Sequence, residues 1–167
     1  ADWSTTGSLD DTTATGTSFT FAPASTGSGT IVATDGVGVI GDATGTITVT
    51  AGDTSYIVLQ REAGDGGTVF GDYAMTSDEE VTIYAAAYDS ENNYIGPATV
   101  DWSSNEFDGD PYQPVVTGRS TQYTFRPVDA PASGFITGIT VGGNFSETTG
   151  EITVGEGGAD YVQIRTE

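Results

Sequence analysis

Cysteine, histidine and lysine are all missing from this chain of 167 residues. Without cysteine there are no disulfides and no thiol chemistry, which fits a bacterial or archaeal surface protein. Without histidine as well, the common zinc ligand sets and His-based nucleophilic triads are excluded. Without lysine there is no Schiff-base amine and no Lys–Asn isopeptide cross-link. Positive charge of any kind is scarce: four arginines face 24 acidic residues, for a formal charge of −20. Such a surface repels nucleic acid and anionic lipid and attracts cations. It suits either solubility in a salty or divalent-rich medium or dedicated cation sites. No apolar run of about 18 residues exists to span a membrane. No secretory leader is visible, so an exported protein would be represented here by its mature chain or an internal piece.

What the chain does have is glycine (24 residues), abundant serine and threonine, and few helix formers. That mix favours many short strands joined by turns. It is also internally repetitive, which bears on the whole fold. Asp2–Ser4 recurs as Asp101–Ser103, 99 residues on. Phe19–Pro23 recurs as Tyr123–Pro127 at 104, Thr44–Val49 as Thr149–Val154 at 105, and Tyr56–Glu62 as Tyr161–Glu167 at 105. The order is therefore X–Y–X, with X at 1–62 and again from Val100, and Y at 63–99 present once. A complete unit is about one hundred residues, a usual domain size. The expected domains are a partial repeat at 1–62, a complete repeat at 63–159, and at 160–167 the first strand of a following unit or a donor strand.

Alternation marks the strands. Thr17–Ala22 places Phe19 and Phe21 on one face. Ile31 and Val32, then Val37, Val39 and Ile40, flank the Asp35–Gly36 turn, a hairpin signal. Ile47 and Val49 mark another strand, and Val69–Met75 reads as a short edge strand. Ser55–Arg61 carries apolar groups on both faces. Tyr84–Ser104 reads as one hairpin, pairing Glu80–Tyr88 with Ala98–Ser103 around an Asp/Asn-rich turn. Tyr123 and Phe125 are expected inside, and Phe135, Ile139 and Val141 share a face. Short strands at this spacing, without helical periodicity, argue an all-β antiparallel sandwich.

The segments Val81–Asn93, Val100–Ser103 and Gly150–Val154 resemble bacterial immunoglobulin-like tandem repeats of large secreted and cell-surface proteins. The resemblance spans nearly the whole chain. It implies an immunoglobulin-like β-sandwich in tandem, here with an incomplete first copy, and an extracellular or cell-surface location. It implies a non-enzymatic structural module, a stalk or spacer of an adhesin or similar fibrous protein. Two alternatives stand beside it: a self-assembling filament subunit polymerising by β-strand donation, and a carbohydrate-binding module. Partners would be neighbouring copies of the repeat, or a surface glycan or protein ligand.

Calcium is the cofactor expectation, because hard cations take several oxygens from one flexible loop. Asp89, Glu91, Asn92 and Asn93 lie in one turn, and Asp108 and Asp110 flank Gly109 in another. Each set reads first as turn-forming residues without metal. Asp65 and its relative Asp160 are a further junction candidate. Tyr161, Val162 and Ile164 are the strand-donor candidates. Asn144–Ser146 fits the glycosylation acceptor pattern. The matched aromatics Trp3, Trp102, Phe21, Phe125, Tyr56 and Tyr161 read as core; Tyr73, Tyr94 and Tyr112 are taken as loop residues available to a partner. If bound cations offset the acidic repulsion, EDTA at low salt lowers the melting temperature; an unchanged melting temperature removes the calcium expectation.

Overall fold

The computed structural model describes residues 1–38, 40–104 and 118–158. It is all-β, with strands and turns and no helix among the described residues. Spatial contacts divide the chain into two units: Ala1–Thr54 with Tyr88–Ile95, and Ser55–Ala87 with Gly96–Glu167.

The first unit holds β1 (Asp2–Thr5), β2 (Thr13–Thr15), β3 (Gly27–Gly29), β4 (Ile31–Thr34), β5 (Gly41–Ala43) and β6 (Ile47–Val49). Four of them form a sheet in the order β2-β1-β4-β5, antiparallel throughout, and β3 pairs with β6 as a separate ribbon. The β4–β5 hairpin turns at Asp35–Gly36, where Gly36 has φ of +81°, a left-handed conformation that glycine adopts without penalty. Val37 and Ile40 beside it are exposed, and Val39 lies outside the described residues.

The second unit holds β7 (Tyr56–Gln60), β8 (Tyr73–Thr76), β9 (Val81–Tyr88, whose last residue groups with the first unit), β10 (Tyr94–Pro97, likewise shared), β11 (Val100–Ser104), β12 (Arg119–Ser120), β13 (Gln122–Phe125), β14 (Ala132–Gly134), β15 (Ile136–Thr140), β16 (Ser146–Thr148) and β17 (Ile152–Gly155). One sheet runs β10-β9-β13 with β7 also on β9, a second runs β12-β11-β15-β16, and a third runs β14-β17-β8. The β17–β8 pair is parallel. One core cluster draws on all three: Leu59, Ile83 and Phe125 from the first, Val100, Trp102 and Ile136 from the second, and Met75, Ile152 and Val154 from the third. The sheets therefore pack their apolar faces on a common interior, as in a β-sandwich.

Two expectations are corrected. Tyr84–Ser104 is not one hairpin: β9 turns back into β10, and β11 pairs with β12 and β15 in a different sheet. The Val100 and Trp102 side chains thus face the β9 sheet instead of extending it. Thr17–Ala22 forms no strand. Its counterpart β13 is ordered by pairing with β9, and among the described residues of the first unit no strand plays that part. Phe135, Ile139 and Val141 do share a face, and it is the outer one, because Ile136, completely buried, takes the inner side of β15. The edge-strand expectation at Val69–Met75 narrows to β8.

The order β2-β1-β4-β5 matches β12-β11-β15-β16 strand for strand. Trp3 pairs with Ala33 as Trp102 pairs with Gly138, and Ala33 with Asp42 as Gly138 with Glu147. Gly27–Gly29 on Ile47–Val49 repeats in Ala132–Gly134 on Ile152–Val154, pair for pair. Even a side-chain bond recurs: the Thr44 hydroxyl accepts from the Ile31 N–H at 3.0 Å, and the Thr149 hydroxyl from the Ile136 N–H at 3.0 Å.

Burial does not follow. In the first unit Leu9 and Tyr88 are the buried apolar residues, while Trp3, Phe21, Ile31, Ile47 and Val49 are half-buried. Their counterparts Trp102, Phe125, Ile136, Ile152 and Val154 are buried. Removing a fully buried phenylalanine side chain costs about 3–5 kcal/mol, transfer and cavity together. Phe125→Ala is therefore expected to destabilise its unit by that amount, and Phe21→Ala by less, since Phe21 is half-buried and keeps part of its surface in water. Urea unfolding of the two variants checks this; equal losses would contradict the difference in burial.

Candidate functional site

The Asp89 carboxylate, at the turn between β9 and β10, accepts four hydrogen bonds. Asp89 is 2% exposed. One oxygen accepts from the backbone N–H of Glu91 at 3.0 Å and of Asn93 at 2.8 Å. The other accepts from the Gly52 N–H at 2.9 Å and from Asn93 Nδ2 at 3.0 Å. The local sequence explains the shape. An aspartate opening a turn bonds N–H groups two and four residues on. Asn92 takes a left-handed φ of 67°, which asparagine tolerates better than most residues. Tyr88 and Tyr94 flank the turn with their rings edge-on at 5.6 Å.

Asn93 extends the network. Its Nδ2 donates to the Ala24 carbonyl at 2.8 Å, and its Oδ1 accepts from the Thr26 N–H at 3.2 Å. From the other side, Asp10 Oδ2 accepts the N–H groups of Ala24 at 2.6 Å and Ser25 at 3.1 Å. Two acidic or amide side chains therefore hold Ala24–Thr26, a segment with no ladder of its own. Both carboxyls titrate below their ordinary value: Asp89 mainly through the Gly52 N–H, Asp10 mainly through the Ala24 N–H. N–H donors favour the ionised form.

Of the calcium-candidate residues, the structure therefore brings Asp89 and Asn93 together, with their oxygens directed at N–H groups. Glu91 is exposed, and its carboxylate accepts the Ser90 hydroxyl at 2.6 Å. Asn92 is exposed. Asp108 and Asp110 lie outside the described residues, as do Asp160, Tyr161, Val162, Ile164 and Tyr112. Asp65 is exposed in the loop after β7. Among the described residues no group of three or more acidic side chains is placed to hold a metal ion. Asn144 is exposed in the turn between β15 and β16, accessible to a modifying enzyme.

Tyr73 and Tyr94 are in strands β8 and β10, not in loops. Tyr73 packs on Phe70 at 5.6 Å, and the Arg61 guanidinium lies over both rings, 4.9 Å from Tyr73 and 5.4 Å from Phe70. That is a cation–π arrangement.

The feature that residue patterns did not reveal is an open cleft on the β1–β4–β5 face of the first unit. Trp3, Ile31, Ala33, Asp42, Ala43 and Thr44 line about 360 Å³ of it. Phe19 stacks on Trp3 with ring centres 5.9 Å apart and planes at 10°. The only signal in the sequence was that Trp3 matches the core residue Trp102.

No family model matches the chain, nor does any curated protein or solved structure. Among the described residues no helix is long and apolar enough to cross a membrane.

The Asp89 network predicts an acid response. Its folded pKa lies below the ordinary 3.8, so the stabilisation is complete above that value and is lost as pH falls through the depressed folded one. Asp89→Asn puts an amide where N–H donors converge. It is expected to lower the stability of the first unit at pH 7 and to flatten its loss as pH falls below 3.8. Acid titration followed by Trp3 fluorescence in a Trp102→Phe background checks both; an unchanged acid profile would exclude the role.

Proposed function

We propose that this protein is a non-enzymatic structural module of an extracellular or cell-surface protein, a stalk or spacer made of immunoglobulin-like units in tandem. The observation that supports it is the matching strand order and pairing of β2-β1-β4-β5 and β12-β11-β15-β16. A duplicated unit preserves topology and register even where side chains diverge, because a slip of one residue would turn every apolar group outward. The large–small contacts diverge in a compensating way. Val100 stands above Gly138 in the second unit, and the corresponding residues of the first are Ala1 and Ala33. The acidic surface suits a module kept soluble and apart from its neighbours by charge.

A second reading, a filament subunit joined by strand donation, is favoured by one observation: the apolar face around Trp3 is uncovered. Strand addition is a common way to satisfy an open β-structure.

The tandem reading is tested by adding a second copy of Ser55–Thr99 ahead of Ala1, which supplies the strands that precede Val100 in the second unit. With Trp102→Phe leaving Trp3 as the only tryptophan, the expected result is a blue shift of Trp3 emission and a higher melting temperature for the first unit. Unchanged emission and melting would overturn it. Surface labelling of intact source cells by antibody to the chain tests the location; labelling only after lysis would refute it.

A further inference from the structure

In the second unit, β7 covers the tryptophan face. Leu59 is 1% exposed and Ile57 is 3% exposed. A Cβ placed on Gly138 would lie 3.4 Å from the Leu59 side chain and 3.5 Å from the Trp102 ring, so Leu59 sits directly over the β11–β15 pair. The strand runs alongside β16. Carried onto the first unit, the residues beneath and beside Leu59 become Trp3, Ala33 and β5, and these line the open cleft. The cleft is therefore the seat of a β7-type strand.

One other segment of the chain has the β7 pattern. Tyr56-Ile57-Val58-Leu59 is matched by Tyr161-Val162-Gln163-Ile164, with glutamate closing both at Glu62 and Glu167. The two residues that would face inward stay aliphatic, Val162 for Ile57 and Ile164 for Leu59. Between them Val58, half-buried in the second unit, gives way to polar Gln163. That change leaves one apolar face, as a strand wetted on its other side requires. The segment also carries Arg165, one of only four cations in the chain, beside a seat whose wall includes Asp42.

We infer that the cleft over Trp3, Ile31 and Ala33 receives the Tyr161–Glu167 segment of a second copy of this chain, with Val162 and Ile164 filling it. The inference rests on the tandem reading and names the partner for it. Donor and acceptor are different surfaces, so the contact is heterologous and leaves a free seat and a free strand at the two ends, which permits head-to-tail growth.

The test uses the full chain in sedimentation velocity over a concentration series, with Trp3 emission read in the Trp102→Phe background. The wild type is expected to form species beyond the dimer as concentration rises, with a blue shift of Trp3. Ile164→Asp removes the donor and Ala33→Asp blocks the seat; each alone is expected to stay monomeric, and an equimolar mixture to stop at the heterodimer. An excess of the peptide Asp160–Glu167, but not a scrambled peptide, should shift Trp3 and cap growth; this arm leaves the fold untouched should Ala33→Asp disturb it. A wild type that is monomeric at every concentration, assembly undiminished by Ile164→Asp, or a monomer with Trp3 already shielded by its own chain would overturn the inference. If the duplicated Ser55–Thr99 segment nevertheless shields Trp3, the tandem reading stands and only the partner is wrong; if that also fails, both fall.

Discussion

An amphipathic β-sheet has to cover its apolar face, and this requirement governs the molecule. In the second unit the cover is complete: Trp102 and Ile136 stand on one sheet, Ile83 and Phe125 on another, and Leu59 fits over Gly138 between them. Each large side chain so buried contributes roughly 1.5–3 kcal/mol relative to remaining in water. Gly138 is part of this arrangement, because a side chain there would crowd Val100, 3.1 Å away. The first unit presents the same kind of face, with Trp3 and Ile31 in the corresponding places and Phe19 stacked on the tryptophan as a partial shield. A half-covered face of this kind is where a further strand gains most by adding itself.

Charge sets the second constraint. With so few cations, the acids cannot be paired in numbers, and they are used instead as acceptors for backbone N–H groups. Asp89 and Asp10 do this in the first unit. In the second, Asp72 accepts from Glu151, Asp78 from Gly158, Glu62 from Thr68 and Glu79 from Thr76. Loops that belong to no ladder still need their N–H groups satisfied, and a carboxylate does this more strongly than a neutral acceptor. Arginine is spent where geometry is most specific: Arg119 grips Asp101 through two bonds across β11 and β12, and Arg61 lies over two aromatic rings. Exposed pairs of the first kind add little to stability. Threonine contributes too, with hydroxyl pairs between Thr82 and Thr124 and between Thr137 and Thr148 across neighbouring strands.

The mechanical role proposed above makes use of these features. Most described acids are on turns and edges, already bonded to the backbone or in water. The proposed module and the proposed strand exchange both draw on apolar faces and main-chain hydrogen bonds.

The strand content, the hairpin at Asp35–Gly36 and the inward Trp102 and Phe125 were legible in the residues, because alternation and turn chemistry are local properties. The recurrence of motifs about 105 residues apart was legible for the same reason. Partner choice was not: β11 looked like the return of the β9 hairpin and proved to belong to the facing sheet, since alternation says which side is apolar but not which strand lies alongside. Nor could the residues show that Asp89 would be engaged by Gly52, a neighbour distant in the chain. The clearest case is the tripeptide Ile-Thr-Val, which occurs at Ile47–Val49 and again at Ile152–Val154. Local sequence determined that both would be strands with isoleucine and valine on one face. Only the tertiary structure decided that one pair would be buried, beside β8 and under a closed core, and the other only half-buried, because burial depends on what lies across from a residue and not on the residue itself.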